Sequence, residues 1–392
     1  MVSGRGWLTS IQVRIDARQG VPLALVMRFL FRIFIGCALA ALPAPALAKI
    51  CTPQRKAVTL QLPGFSSPGE ITLPPRGVAL RGILVLFGGS DVADMDGAVA
   101  GADGSIVSRP MKQVAQRLAC AGFAALRYNK RYVTGPTSVD REKFDALSGP
   151  DFAADGRIAL AFVRQDPTLV KLPLGLVGWS EGTTVALAVA TGDPSVRALV
   201  LMAPVVDAPA RVAQLQYGRI GKPYLARYAI DGALDAAAIA RADAGSGGVL
   251  AHIFVRMFRG FRPGERVNPL LDSNKDGRIS FAEADPVIAA WYADGPDSGL
   301  GSSSTARSLK GVADAFTPQT PPILILQGLN DSMIGPEAAQ AFAASRKVSL
   351  LTYAGLGHSL GVAPSAQEDG LLPVARRPLD DMAAWLRKAL RK

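Results

Sequence analysis

The chain has 392 residues, 49% hydrophobic and only 19% charged, which excludes a disordered or low-complexity polymer and allows a large buried core. Its net charge is +11, but no long Lys/Arg block carries that charge and no aromatics are interleaved with it. Nucleic-acid binding is therefore not expected, and the surplus reads as a solvated basic surface.

The N-terminal stretch reads as an upstream extension followed by a secretory signal, together residues 1–48. Residues 27–32 are basic, 33–42 are apolar, and Ala46-Leu47-Ala48 is a small-x-small cleavage pattern. The expected mature protein starts at Lys49, with either translation starting at Met27 or residues 1–26 forming a disordered extension upstream of the signal. The apolar core is too short to span a membrane, and Pro43 and Pro45 follow it. Cys37 follows Phe34-Ile35-Gly36, a poor lipoprotein box. The protein is thus expected in the periplasm or outside the cell, with no stable membrane span. In an oxidising compartment, Cys51 and Cys120 are candidates for one disulfide; otherwise Cys120 is a small buried helix residue.

Residues 57–62 and 69–73 predict an antiparallel strand pair, with Pro63-Gly64 and Ser67-Pro68-Gly69 as turns. Residues 82–87 form a continuous apolar run of the kind that suits a parallel strand covered on both faces. A Gly-rich loop, Gly88-Gly89-Ser90, follows. A helix is predicted over 105–121, a strand over 123–128, a second helix over 152–164, a strand over 172–177, a helix over 183–190 and a strand over 198–202. Strands alternating with helices imply a mainly parallel sheet. From 204 to 314 the alternation gives way to helical pieces (208–229, 234–242, 249–258), read as an inserted cap. The alternation resumes over 315–392, with strands at 322–326 and 347–353 and helices at 335–345 and 378–390. The core is therefore expected in two parts, 49–203 and 315–392.

Gly178-Trp179-Ser180-Glu181-Gly182 lies between strand and helix and has the form of a nucleophile elbow. A serine hydroxyl needs a base and an orienting carboxylate. The chain holds only two histidines. His252 lies in an apolar helical run and reads as a packing residue. His358 lies in Gly355-Leu356-Gly357-His358-Ser359, a loop after the last strand, where open α/β sheets keep their sites. Asp331, in the loop after strand 322–326, is the expected acid; Asp207 is its rival. The oxyanion donors are expected from the backbone of Glu181 and from Gly89 or Ser90.

With these elements the chain resembles the α/β-hydrolase family over roughly 80–204 and 315–392. The resemblance rests on the elbow at Ser180, the loop at Gly88-Gly89, the segment Arg127-Tyr128-Asn129-Lys130-Arg131, Gly328 with Asp331, and Gly357-His358. It is most similar to bacterial serine-aminopeptidase-like and dienelactone-hydrolase-like enzymes with a G-x-S-E-G elbow. That resemblance implies an eight-stranded, mostly parallel sheet flanked by helices, with a helical cap over the site. It differs from many relatives at Asn129, at Arg131-Tyr132 and at Thr183, and keeps every catalytic group. The expected activity is cleavage of a small-molecule acyl substrate, a carboxylic ester or related compound. The alternatives are an aminopeptidase, with Asp294 or Asp297 gripping the substrate amine, and a non-catalytic calcium-dependent binding protein.

A second motif, 272–283, matches the twelve-position EF-hand loop. Asp272, Asn274, Asp276 and Ser280 supply side-chain oxygens, Arg278 a backbone carbonyl and Glu283 a bidentate carboxylate, with Gly277 at the sharp turn. A structural Ca2+ is expected there. A lone loop should bind weakly, which suits extracellular calcium on the order of 10⁻³ M. No organic cofactor is expected.

Overall fold

The computed structural model describes residues 51–90, 94–101, 104–136, 138–207, 209–260, 266–293, 309–344 and 348–391. The signal-peptide reading and the candidates Asp294 and Asp297 lie outside them.

Eight strands form one sheet: β1 (Gln54–Leu62), β2 (Phe65–Leu73), β3 (Gly82–Phe87), β4 (Phe123–Tyr128), β5 (Leu174–Trp179), β6 (Val196–Met202), β7 (Ile323–Gly328) and β8 (Val348–Tyr353). Their spatial order is β1-β2-β4-β3-β5-β6-β7-β8. From β4 to β8 every pairing is parallel, while β1–β2 and β2–β4 are antiparallel. This is a mostly parallel α/β sheet. The apolar runs explain it: all six residues of β3, β5 and β7 are buried, which requires cover on both faces. Ile83, Val85 and Phe87 join one hydrophobic cluster and Leu84 and Leu86 the other, following the two-residue pleat.

Flanking helices complete the layers. Helix α1 (Pro110–Cys120) contributes Met111, Val114 and Leu118 to the second cluster. Helices α2 (Gly149–Gln165) and α3 (Gly182–Thr191) pack on the other side, through Leu160, Val163 and Val185. Between β6 and β7 come α4 (Pro209–Gln216), α5 (Lys222–Ala226), α6 (Ala236–Asp243), α7 (Val249–Phe258) and α8 (Phe281–Ala293). They enclose their own core, with Tyr224, Phe254, Phe258 and Ile279 at its centre. After β7 come α9 (Pro336–Ala343) and α10 (Arg376–Ala389), the latter packing Leu379, Met382 and Leu386 under the sheet.

Two local expectations change. Ser67-Pro68-Gly69 is not a turn but the middle of β2, opposite Leu60, Thr59 and Val58. Proline is tolerated because β4 pairs with β2 only from Gly69 onward, so no ladder partner on that side needs the missing donor. The predicted helix over 208–229 is broken at Tyr217–Gly221, where one π-type turn separates α4 from α5. That turn carries Arg219, whose guanidinium donates to the backbone carbonyl of Asp331 at 3.1 Å.

Cys51 and Cys120 are disulfide-bonded, with Cα atoms 5.9 Å apart. The bond ties the chain before β1 to the end of α1. With the cysteines 69 positions apart in the sequence, chain entropy credits such a link with up to about 4 kcal/mol. Among the described residues no helix is long and apolar enough to cross a membrane.

Candidate active site

The carboxyl ends of β3, β5, β7 and β8 bring the sequence candidates together. β5 runs up to Trp179, and Ser180 follows it at φ +55°. A non-glycine residue in this region is strained and is held only where its surroundings over-determine it. Here the Ser180 N–H donates to Met202 O at 2.9 Å, and Ser180 O accepts from the backbone and hydroxyl of Thr183. The flanking glycines are required by space. A Cβ on Gly178 would lie 2.5 Å from Gly182 O, and one on Gly182 would lie 2.3 Å from Phe87 O and 2.4 Å from Gly88 O. Thr183 is buried, and its hydroxyl also accepts from Val205 N at 3.2 Å. It thereby ties the start of α3 to the chain after β6.

His358 lies beside the elbow. Trp179 Nε1 donates to His358 O at 3.0 Å, and the two rings are 5.7 Å apart. His358 is 3% exposed, and its Nδ1 lies 3.0 and 3.1 Å from the two oxygens of Asp331. A carboxylate only accepts, so Nδ1 carries the proton and Nε2 keeps its lone pair. Asp331 is fully buried. Its Oδ1 also accepts from Met333 N and Ile334 N, both at 2.8 Å, and its Oδ2 accepts from Gln327 Nε2 at 2.9 Å. Burial alone pulls the His358 pKa down. The charge and hydrogen bond of Asp331, with the charge of Asp369, outweigh it and hold the pKa above its ordinary 6.5.

The carboxylate on His358 Nδ1 is that of Asp331 and not its rival Asp207, which has Arg211 4.0 Å from its carboxylate. His252 uses both ring nitrogens on the backbone carbonyls of Gly248 and Asp243, each at 3.1 Å, as a packing residue in the cap does.

On the oxyanion side, a Cβ on Gly89 would sit 3.3 Å from Ser180 Cβ, so the loop after β3 lies directly against the elbow. Glu181 is the N-cap residue of α3. Lys130 bridges the two parts: its Nζ donates to Gly89 O at 2.6 Å and lies 3.5 Å from Glu181 Oε2. Because a peptide is planar and trans, fixing Gly89 O also fixes the N–H of Ser90, which points the opposite way. The ammonium polarises that amide and strengthens its N–H as a donor. Sequence reading places Lys130 in a family-like segment but gives it no role, since its reach to Gly89 depends on the β3–β4 pairing.

Asp369 is a second residue that sequence reading passes over. It is 1% exposed and accepts from His358 N at 2.8 Å. Eleven residues beyond the histidine, in an irregular loop, it belongs to no recognisable pattern.

The loop 272–283 folds around its own carboxylates. Asp272 accepts from Asp276 N and Gly277 N; Asn274 Oδ1 accepts from Asp276 N and Asp276 Oδ1 from Arg278 N. Glu283 accepts from Ser273, Asn274 and Ser280. Gly277 adopts φ +80°. The Glu283 pKa is held down to about 2, first by the Ser280 N–H and then by its hydroxyl. Arg278–Ser280 pairs antiparallel with Ala233–Asp235. Among the described residues no three acidic, histidine or cysteine side chains converge as a ready-made metal centre.

Residues 104–362 match the family described as serine aminopeptidase, S33. The fold is similar to dienelactone hydrolase from Anabaena variabilis, at 15% identity and a TM-score of 0.43, covering 86% of this chain and 99% of that one. It is similar to Est1E from Butyrivibrio proteoclasticus, at 14% identity and a TM-score of 0.46, covering 86% and 99%. It is also similar to an esterase from Pyrococcus furiosus, at 12% identity and a TM-score of 0.47, covering 86% and 92%. No curated protein matches the sequence.

Proposed function

The chain belongs to the serine aminopeptidase S33 family of α/β-hydrolases, and we propose that it is an exported serine hydrolase acting on carboxylic esters or related acyl compounds. The observation that carries this reading is the strained Ser180 at the end of β5 with the His358–Asp331 pair beside it. In the proposed mechanism, Ser180 Oγ attacks the acyl carbonyl while His358 Nε2 takes its proton. Asp331 keeps the imidazole oriented and stabilises it once charged. The N–H groups of Glu181 and of Gly89 or Ser90 hold the oxyanion. The leaving alcohol takes the proton from His358. Water, activated by the same nitrogen, then releases the acid.

The family description favours a second reading, a peptidase that removes N-terminal residues. Such an enzyme needs a carboxylate to grip the substrate ammonium. The candidates for that carboxylate, Asp294 and Asp297, lie outside the described residues. A panel of p-nitrophenyl acyl esters and aminoacyl p-nitroanilides separates the two. The ester reading expects kcat/KM at least tenfold higher on esters; preferential turnover of the anilides would replace it with the peptidase.

Export and cleavage before Lys49, giving a periplasmic or secreted enzyme, remain part of the proposal on the strength of the basic, apolar and Ala-x-Ala segments alone. So does a structural Ca2+ at 272–283, which would be held by Asp272, Asn274, Asp276, Ser280, Glu283 and the carbonyl of Arg278. The donors are all oxygen, in the order a hard cation takes them, and Gly277 makes the turn. With a Kd on the order of 10⁻⁴ M, 10 mM calcium would add about 2.7 kcal/mol, raising Tm by roughly 5 °C over chelator. An unchanged Tm would remove calcium from the account.

A further inference from the structure

We infer that Asp369 is a positioning residue that holds the His358 loop in its working place and joins that loop to the cap. The inference rests on the proposed role of His358 as base.

The contacts of Asp369 run in three directions. Its Oδ2 accepts from His358 N at 2.8 Å and from Ser332 N and Oγ at 3.1 and 3.0 Å. Its Oδ1 accepts from Leu371 N at 3.2 Å. One buried carboxylate thus pins the backbone of the histidine to the residue that follows Asp331. The fit is close: a Cβ on Gly357 would lie 2.2 Å from Asp369 Oδ1. The backbone of Asp369 faces the cap. Its carbonyl accepts from Val249 N at 3.0 Å, at the start of α7, and a Cβ on Gly248 would lie 2.3 Å from the same oxygen. Gly248 N donates to Gln367 O at 2.7 Å, Ser246 Oγ to Glu368 Oε1 at 3.3 Å, and Arg227 to the side chain of Gln367. Any shift of α7 is therefore transmitted to the residue that holds His358.

A buried carboxylate taking four donors also has a purely structural use, so the test must read the imidazole itself. The charged groups acting on His358 are Asp331, from the loop after β7, and Asp369, from the loop after β8; Trp179, from β5, carries no charge. Both carboxylates favour the imidazolium, so removing one lowers the pH at which His358 becomes a base.

The experiment uses the purified protein, with Ser180 titrated by a fluorophosphonate so that rates are expressed per labelled site. Asp369→Asn keeps the shape and turns an amide toward N–H donors. We expect kcat to fall on the order of 10²-fold with KM little changed, and the acid limb of kcat/KM to move to lower pH. An Asp369→Asn protein with reduced Tm but unchanged kcat per site and an unchanged acid limb overturns the inference. If that variant does not fold, Ser332→Ala removes one donor and leaves the charge. It should lower kcat about fivefold at constant KM, and an unchanged kcat overturns the inference equally. A wild-type protein that takes no label at Ser180 is a different result: it refutes the hydrolase reading, and the role of Asp369 with it.

Discussion

Ser180→Ala is expected to lower kcat on short p-nitrophenyl esters by on the order of 10⁶-fold, leaving a correctly folded protein. The size follows from chemistry, since alanine offers no hydroxyl for His358 to activate. The folding outcome follows from geometry. The restraints on the elbow are backbone contacts to Met202 and Thr183 and the packing of Gly178 and Gly182, none of which uses the serine hydroxyl. Alanine at φ +55° retains the strain that serine already bears. A residual rate is expected from the oxyanion donors alone.

Asp331→Asn should be the next largest loss, on the order of 10⁴-fold in kcat. The amide would present N–H either to Gln327 Nε2 or to the N–H groups of Met333 and Ile334, all of which are donors. It would also reward the His358 tautomer with its proton on Nε2, which cannot accept from Ser180. The pH profile follows with its sign. His358 acts as base when neutral and its pKa lies above 6.5, so wild-type kcat/KM should rise with pH through a value above 6.5. The variant's remaining activity should rise at lower pH, because the larger of the two charges favouring imidazolium is gone. Stability runs the other way. A histidine whose folded pKa is raised adds stability below its unfolded value, and that increment disappears as pH climbs through the folded one. Stopped-assay profiles and Tm across pH 5–9 on both proteins check the two halves.

The parts of the fold legible in the sequence are those governed by local chemistry. The apolar runs of β3, β5 and β7 announce a buried parallel sheet because such strands have no polar face to show. The elbow is readable because its glycines answer a clash between neighbouring backbone segments. The histidine is readable because there are only two. What sequence does not give depends on which distant segments meet. Lys130 reaches Gly89 across the β3–β4 pairing, and Asp369 finds His358 N through a loop without periodicity. The π-type turn at Tyr217–Gly221 interrupts a run whose propensities favour a continuous helix; there the cap's side chains reach the Asp331 loop, through Gln216 as well as Arg219. Pro68 inside β2 is the reverse case, a local turn signal overruled by its position in the sheet.

The central claim is that Ser180 is the activated nucleophile. The most direct measurement is mass-spectrometric mapping of a fluorophosphonate adduct on the purified protein, alongside His358→Ala. The account predicts one adduct, on the peptide bearing Ser180, formed far more slowly when His358 is alanine. An adduct on another residue, no adduct, or labelling that is indifferent to His358 would contradict it.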